Sequence, residues 1–352
     1  MRPAMRLCLA VVALIAAGAL AAGIGLGLRS PQAARVSSGG RRAVARPPAT
    51  SRAAASPASP AASAPAAAGY SLRTQDDAGD GAFNQLLGIN NNGHIVGYFG
   101  SGAAGHPSRG YILRPPYGRS RYQSIDVPGS AQTRLTGLND EGVQVGSWSA
   151  GGTRPAGKST GFFLMGGRYT SVGFPAQGGS SPPVSELLGV NNHDVAVGFA
   201  TDAQGRDHGY RYDIATRRFS PVLVPGASSV TAAAINNAGG VAGSCAGPGQ
   251  VTEGFYQQPG GQLYLLRVPG ATMTEALGVN DNGEVVGAYR IGRGGGAITR
   301  GFTWTRERGF ATVTGPDGAV STTISGVNNA GDLVGYYVSR GGTHGLVATP
   351  AG

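Results

Sequence analysis

Residues 88 to 98 read Gly88-Ile89-Asn90-Asn91-Asn92-Gly93-His94-Ile95-Val96-Gly97-Tyr98, GINNNGHIVGY, and variants of this stretch return five times before the chain ends. The others are GLNDEGVQVGS from Gly137, GVNNHDVAVGF from Gly189, AINNAGGVAGS from Ala234, GVNDNGEVVGA from Gly278 and GVNNAGDLVGY from Gly326. Their first asparagines, Asn90, Asn139, Asn191, Asn236, Asn280 and Asn328, are 44 to 52 residues apart. Self-similarity at that spacing is the mark of a repeat architecture.

Each copy has the chemistry of a β-hairpin whose three-residue loop is a type I turn ending in a left-handed glycine, as in Asn91-Asn92-Gly93. Asn90 takes the first position of the turn, where its side chain reaches the backbone two residues on. In the third copy Asp194 replaces the glycine, and Asp is among the few residues that tolerate positive φ. The glycines that open the hairpins, from Gly88 to Gly326 with Ala234 as the one exception, are small because inner strands converge near an axis.

After each hairpin come a variable loop and a glycine-led apolar run: GYIL at 110, GFFL at 161, GYRY at 209, GFYQ at 254, GFTW at 301 and GLVA at 345. A fourth segment follows in all copies but the last, for example YQSIDVPG from Tyr122 and FSPVLVPG from Phe219. Four short strands per repeat describe a propeller blade better than a solenoid coil. The last copy lacks its fourth strand, while YSLRTQDDAG from Tyr70 stands unpaired before the first. Joining the two covers a sheet edge. Residues 70–352 are therefore expected to form a six-bladed β-propeller of four-stranded antiparallel blades, closed by an N-terminal strand that completes the last blade.

The GINNxG…VG hairpin, the [HR]G[YF] that follows it and the IDVPG ending resemble the HAF-family extracellular repeat over about four-fifths of the chain. The histidine of that pattern stands only at His208 and His344; the other repeats have Arg109, Thr160, Glu253 and Arg300 there. The resemblance implies an exported repeat domain of no established activity.

Residues 1–69 have a different composition. Leu7 to Leu28 carries no charge over 22 residues and follows Arg2 and Arg6. As a helix it would be about 33 Å long, enough for a hydrocarbon core of about 30 Å. Ala19-Leu20-Ala21 equally fits a secretory signal with cleavage after Ala21. A signal peptide and a membrane anchor thus both stand as readings of 1–28, and residues 29–69, rich in Ala, Pro and Ser, read as a disordered linker.

The formal charge of +10 has the same partition, because the first 70 residues hold eight arginines and no acid. The propeller retains 20 basic and 18 acidic residues. Nucleic-acid binding needs a basic stripe on the folded domain, so that class is set aside. Serine-hydrolase elbows, HExxH motifs, Cys/His clusters and phosphate loops are all missing, and no cofactor or metal is expected.

Comparison between repeats separates scaffold from candidate site. Five residues before each turn asparagine stand Gln85, Arg134, Glu186, Thr231, Glu275 and Thr323, all polar and all different in setting. They are expected to form the rim of a central channel on the face opposite the Asn turns. The loops between second and third strands open on that face and hold Trp148, Arg109, Arg154, Lys158 and Arg300 against Asp202, Asp207 and Glu253. Expected ligands are a glycan, a cell-wall polymer or a protein, with Glu186 and Glu275 as anchors and Trp148, Arg109 and Arg300 as orienting groups. The alternative is an extracellular hydrolase or lyase that uses Glu186 and Glu275 as a carboxylate pair.

Overall fold

The computed structural model describes residues 69–351 except 78, 104, 151–157, 176–181, 183 and 248–250, together with Ala66–Ala67. The apolar segment, most of the linker and Arg154 lie outside the described residues.

Every repeat begins with the hairpin read from the sequence. In the first, Asn84–Ile89 pairs antiparallel with Ile95–Phe99. The Asn90 side-chain oxygen accepts the N–H groups of Asn92 at 3.1 Å and His94 at 2.9 Å. The turn glycines Gly93, Gly142, Gly239, Gly283 and Gly331 have φ between 72° and 87°, and Asp194 adopts 56°. Third and fourth strands follow in order, as Arg109–Leu113 and Tyr122–Ser124 show in the first repeat.

The grouping of these strands corrects the expectation of six separate four-stranded sheets, while the apolar helix expected before them falls outside the described residues. Hydrogen bonding joins the strands into five sheets, of eight, five, four, four and four strands. The eight-stranded sheet arises because Val184–Val190 pairs in parallel with Ser159–Met165 through Val184↔Ser159 and Ser185↔Thr160, which fuses the second and third repeats. The five-stranded sheet gains Ala66–Ala67, within the segment read as disordered linker, in parallel with Ala311 and Thr312. Among the described residues helical structure is confined to the short 3-10 turns Arg119–Arg121 and Gly294–Gly296, and no helix is long and apolar enough to cross a membrane.

At the termini, Tyr70–Thr74 pairs antiparallel with residues 346–350 of the last strand. The core lies between neighbouring repeats. Val96 and Ile112 of the first repeat pack with Leu135, Phe162 and Leu164 of the second, and Leu86, Ile95 and Tyr111 of the first pack with Val334 and Val347 of the last. The third-strand residues Tyr111, Phe162, Tyr210, Phe255 and Phe302 are fully buried. Each such burial stabilises by roughly 1.5–3 kcal/mol.

A β-bulge interrupts every innermost strand two residues before its end. The register shifts between Leu86 and Gly88, and equivalently before Gly137, Gly189, Ala234, Gly278 and Gly326. One residue per repeat is thereby left out of the ladder: Leu87, Thr136, Leu188, Ala233, Leu277 and Ser325. The bulge also explains the last glycine of the motif. A methyl on Gly97, Gly146, Gly198, Gly243, Gly287 or Gly335 would overlap the backbone carbonyl of Gln85, Arg134, Glu186, Thr231, Glu275 or Thr323, in that order.

Candidate functional site

The six polar positions expected at a channel rim lie on the innermost strands just before the bulges. Their register partners on the second strands are Tyr98, Ser147, Phe199, Ser244, Ala288 and Tyr336. A solvated rim is not what they form. Gln85, Thr231, Glu275, Thr323 and Glu186 are all buried, and only Arg134 is half-exposed. Large second-strand side chains stand opposite Gln85, Glu186 and Thr323, and Tyr98 and Tyr336 are themselves buried with Phe83 and Leu87.

Four of these residues divide between two cavities, and Gln85 and Thr231 line neither. Glu275 and Thr323, with Tyr336, line a small apolar cavity walled by the six bulge residues. Arg134 and Glu186 line another, of about 190 Å³, with Trp148, Lys158 and the polar side chains of Gln132, Ser147, Ser149 and Ser159. Glu186 and Glu275 therefore do not face one another across a common space, and the carboxylate-pair reading is corrected on that ground. Arg109 and Arg300 line neither cavity. Arg109 stands 4.0 Å from Asp126, and Arg300 pairs in register with Tyr289.

The larger pocket is a built site. Glu186 receives a 2.5 Å hydrogen bond from the Ser159 hydroxyl, while Tyr210 donates to the Glu186 backbone carbonyl at 3.0 Å. The Arg134 guanidinium lies 5.3 Å from the centre of the Tyr98 ring, within cation–π range, and its Nε donates to Ser108 Oγ at 3.3 Å. Tyr98 in turn donates to Gln85 Oε1 at 2.7 Å. Trp148 packs its ring beside Leu135, Phe162 and Leu164 and donates from Nε1 to Ser171 Oγ at 3.1 Å. A fixed cation, a fixed anion and an anchored aromatic plane thus share one opening.

Ser159 and Asp207 were not singled out as site residues by the sequence. Ser159 begins a third strand after a long loop, where only the parallel pairing to Val184 brings it to Glu186. Asp207, read as a loop charge, is buried and accepts from Thr201 at 2.8 Å and Thr231 at 3.1 Å. Burial pushes its carboxyl above the ordinary range, the two hydroxyls pull it down, and Glu186 nearby raises it further. Glu253 is likewise buried and paired with Arg267. The exposed cluster of that face is Asp202 with Arg206 and His208.

The opposite face is a hydrogen-bonded ring. Asn90, Asn139, Asn191, Asn236 and Asn280 each donate from Nδ2 to the backbone carbonyl of the next turn asparagine, at 2.9 to 3.1 Å. The following residues form a second tier in which each side-chain oxygen accepts the backbone N–H of the repeat before it. In that tier Asp140 accepts from the amides of both Asn91 and Asn192, and Asp281 from those of Asn237 and Asn329. Among the described residues no cluster of three or more His, Cys, Asp or Glu side chains is placed to hold a metal.

Repeated antiparallel strand units around an axial cavity define the class as an all-β propeller. One solved structure agrees at the level of fold. A TolB-type protein from Agrobacterium tumefaciens superposes with a TM-score of 0.52 at 12% identity, over 77% of this chain and 92% of that one. TolB from Acinetobacter baumannii gives a TM-score of 0.46 at 11% identity over 72% of this chain, which spans 63% of that protein's length. A nidogen/laminin complex gives 0.45 at 10% identity, covering 70% and 86% of the two chains. No family model matches the chain, and no curated protein matches it.

Proposed function

We propose that the chain is an exported or membrane-anchored binding protein of the HAF-repeat type, whose propeller captures a polar polymer through the pocket between Arg134, Trp148, Lys158 and Glu186. One observation carries this reading: two cations, one carboxylate and an aromatic ring open into a single space of about 190 Å³. The ring offers an apolar plane to a sugar or a side chain, while the charges select amino and carboxylate groups. A glycan or cell-wall polymer bearing both groups suits that set, and a protein segment of the same character is the second ligand class. Export is supported by the uncharged run Leu7 to Leu28 behind Arg2 and Arg6 and by the resemblance of the repeats.

The test is a pull-down of the purified protein with cell-wall polysaccharide and with envelope proteins, comparing wild type with Glu186→Gln/Trp148→Ala and with the opposite-face control Asn139→Ser. Retention that is lost in the double variant and kept in the control supports the pocket. The reverse pattern moves recognition to the Asn face. Protease added to intact cells tests export, and a propeller that stays protected until lysis overturns it.

A further inference from the structure

The axial cavity walled by the bulge residues is distinct from the Glu186 pocket. It holds about 40 Å³, and its lining is apolar except for Glu275, Tyr336 and a few hydroxyls. Glu275 is 2% exposed, yet among the described residues its Oε1 has no hydrogen-bond partner. A buried carboxyl left unpaired is costly unless it stays protonated or receives a donor. Burial pushes the Glu275 carboxyl up to about 8, with Arg290 pulling the other way.

No basic side chain lines this cavity. Thr323 is bonded to Tyr336, and Thr136 donates to the Leu187 carbonyl at 2.8 Å. The wall thus supplies no donor to this oxygen, and an entering ligand can. Water is a poor candidate because it needs two to four polar partners. A hard metal ion is poorer, because it calls for six or more oxygens where the wall has one free carboxylate oxygen. Leu87, Leu188, Ala233 and Leu277 offer the opposite chemistry, a sleeve for a short hydrocarbon chain.

We propose that the axial cavity is a binding site for a primary alkylammonium group, with the nitrogen donating to Glu275 Oε1 and the alkyl chain lying among the bulge leucines. The site requires a ligand with N–H donors on a narrow apolar stem. It does not depend on the loop-face pocket.

Calorimetry and thermal-shift measurements on the full chain would use n-propylammonium chloride as the probe and tetramethylammonium chloride, which has no N–H, as its counterpart. Wild type is expected to bind n-propylammonium and to reject tetramethylammonium. Glu275→Gln, nearly isosteric, should lose at least tenfold in affinity. Ala233→Leu, which keeps the carboxyl and fills the sleeve, should lose as much, and Gly118→Ala, in open space away from both cavities, should bind as wild type. The proposal is overturned if wild type binds no n-propylammonium, if tetramethylammonium binds equally, or if folded Glu275→Gln binds as wild type does.

Discussion

The backbone N–H of Asn329 donates to Asn91 Oδ1 at 2.9 Å across 238 residues of chain, and this bond closes the outer tier of hydrogen bonds at the Asn face. Asp140, like Asp281, takes two side-chain amides, with its Oδ2 accepting from Asn91 Nδ2 and Asn192 Nδ2, both at 2.8 Å. Burial alone would raise its carboxyl, but the bonds from Asn192 and Asn91 outweigh that and hold it below the ordinary value.

Asp140 should therefore contribute to acid stability with a definite sign. Its folded pKa is depressed, so its stabilisation is present above the unfolded carboxylate value and is lost as pH falls through the folded one. Asp140→Asn sets an amide against two amide donors and should cost about 1 kcal/mol at neutral pH, where the carboxylate is partly exposed. Melting curves from pH 7 down to pH 2 check this: the gap between wild type and variant should narrow on acidification. A constant gap would mean that the charge is immaterial.

The last glycine of the motif gives a steric prediction. Gly198→Ala should drive a methyl into the Glu186 carbonyl and destabilise by about 1–3 kcal/mol, as overpacked sites do. Gly118→Ala is the matched control, since Gly118 has φ −81° and open space around it. That control should be neutral or slightly stabilising in urea denaturation. Equal effects at the two positions would refute the role given to the bulge carbonyl.

The Asn turn and the small residue that opens each hairpin were legible in sequence because both recur in every repeat. Asp194 shows this well, for its positive φ was readable from its taking the glycine's place in the turn. The burial of Glu275 and Gln85 was not legible. It depends on Tyr98, Tyr336 and the neighbouring inner strands, which lie on separate segments. The pocket was half legible: Arg134, Trp148 and Glu186 were named, but Ser159 reaches Glu186 only through a parallel bridge that no hairpin pattern announces. The same bridge merged two repeats into one eight-stranded sheet.

Removal of the N-terminal strand tests how far the termini hold the molecule together. Tyr70–Thr74 pairs with the last strand over five residues, and Gln75 continues the contact by donating its N–H to the Gly345 carbonyl at 2.9 Å. Deleting residues 70 to 75 should expose the edge of that last strand and cost several kcal/mol, a large part of a typical domain's margin. Calorimetry on the truncated protein checks it. An unchanged melting temperature would show that the pairing contributes little.

Glu275 makes the pH dependence of stability diagnostic at the other end of the range. Its carboxyl is raised from the ordinary 4.5 to about 8 by burial, against the pull of Arg290. Between those values the folded protein holds a proton that the unfolded chain has released, so the folded state binds more protons and stability falls as pH rises. Tyr336 stays neutral over this interval because burial lifts its hydroxyl well above the ordinary phenol value. Wild type should thus lose stability between about pH 5 and pH 8 relative to Glu275→Gln, whose amide does not titrate. The difference is read from denaturant midpoints measured in parallel at each half unit of pH. Below the unfolded value the two proteins should run parallel. Curves that stay parallel up to pH 8 would place Glu275 in contact with solvent or with a partner that already satisfies it.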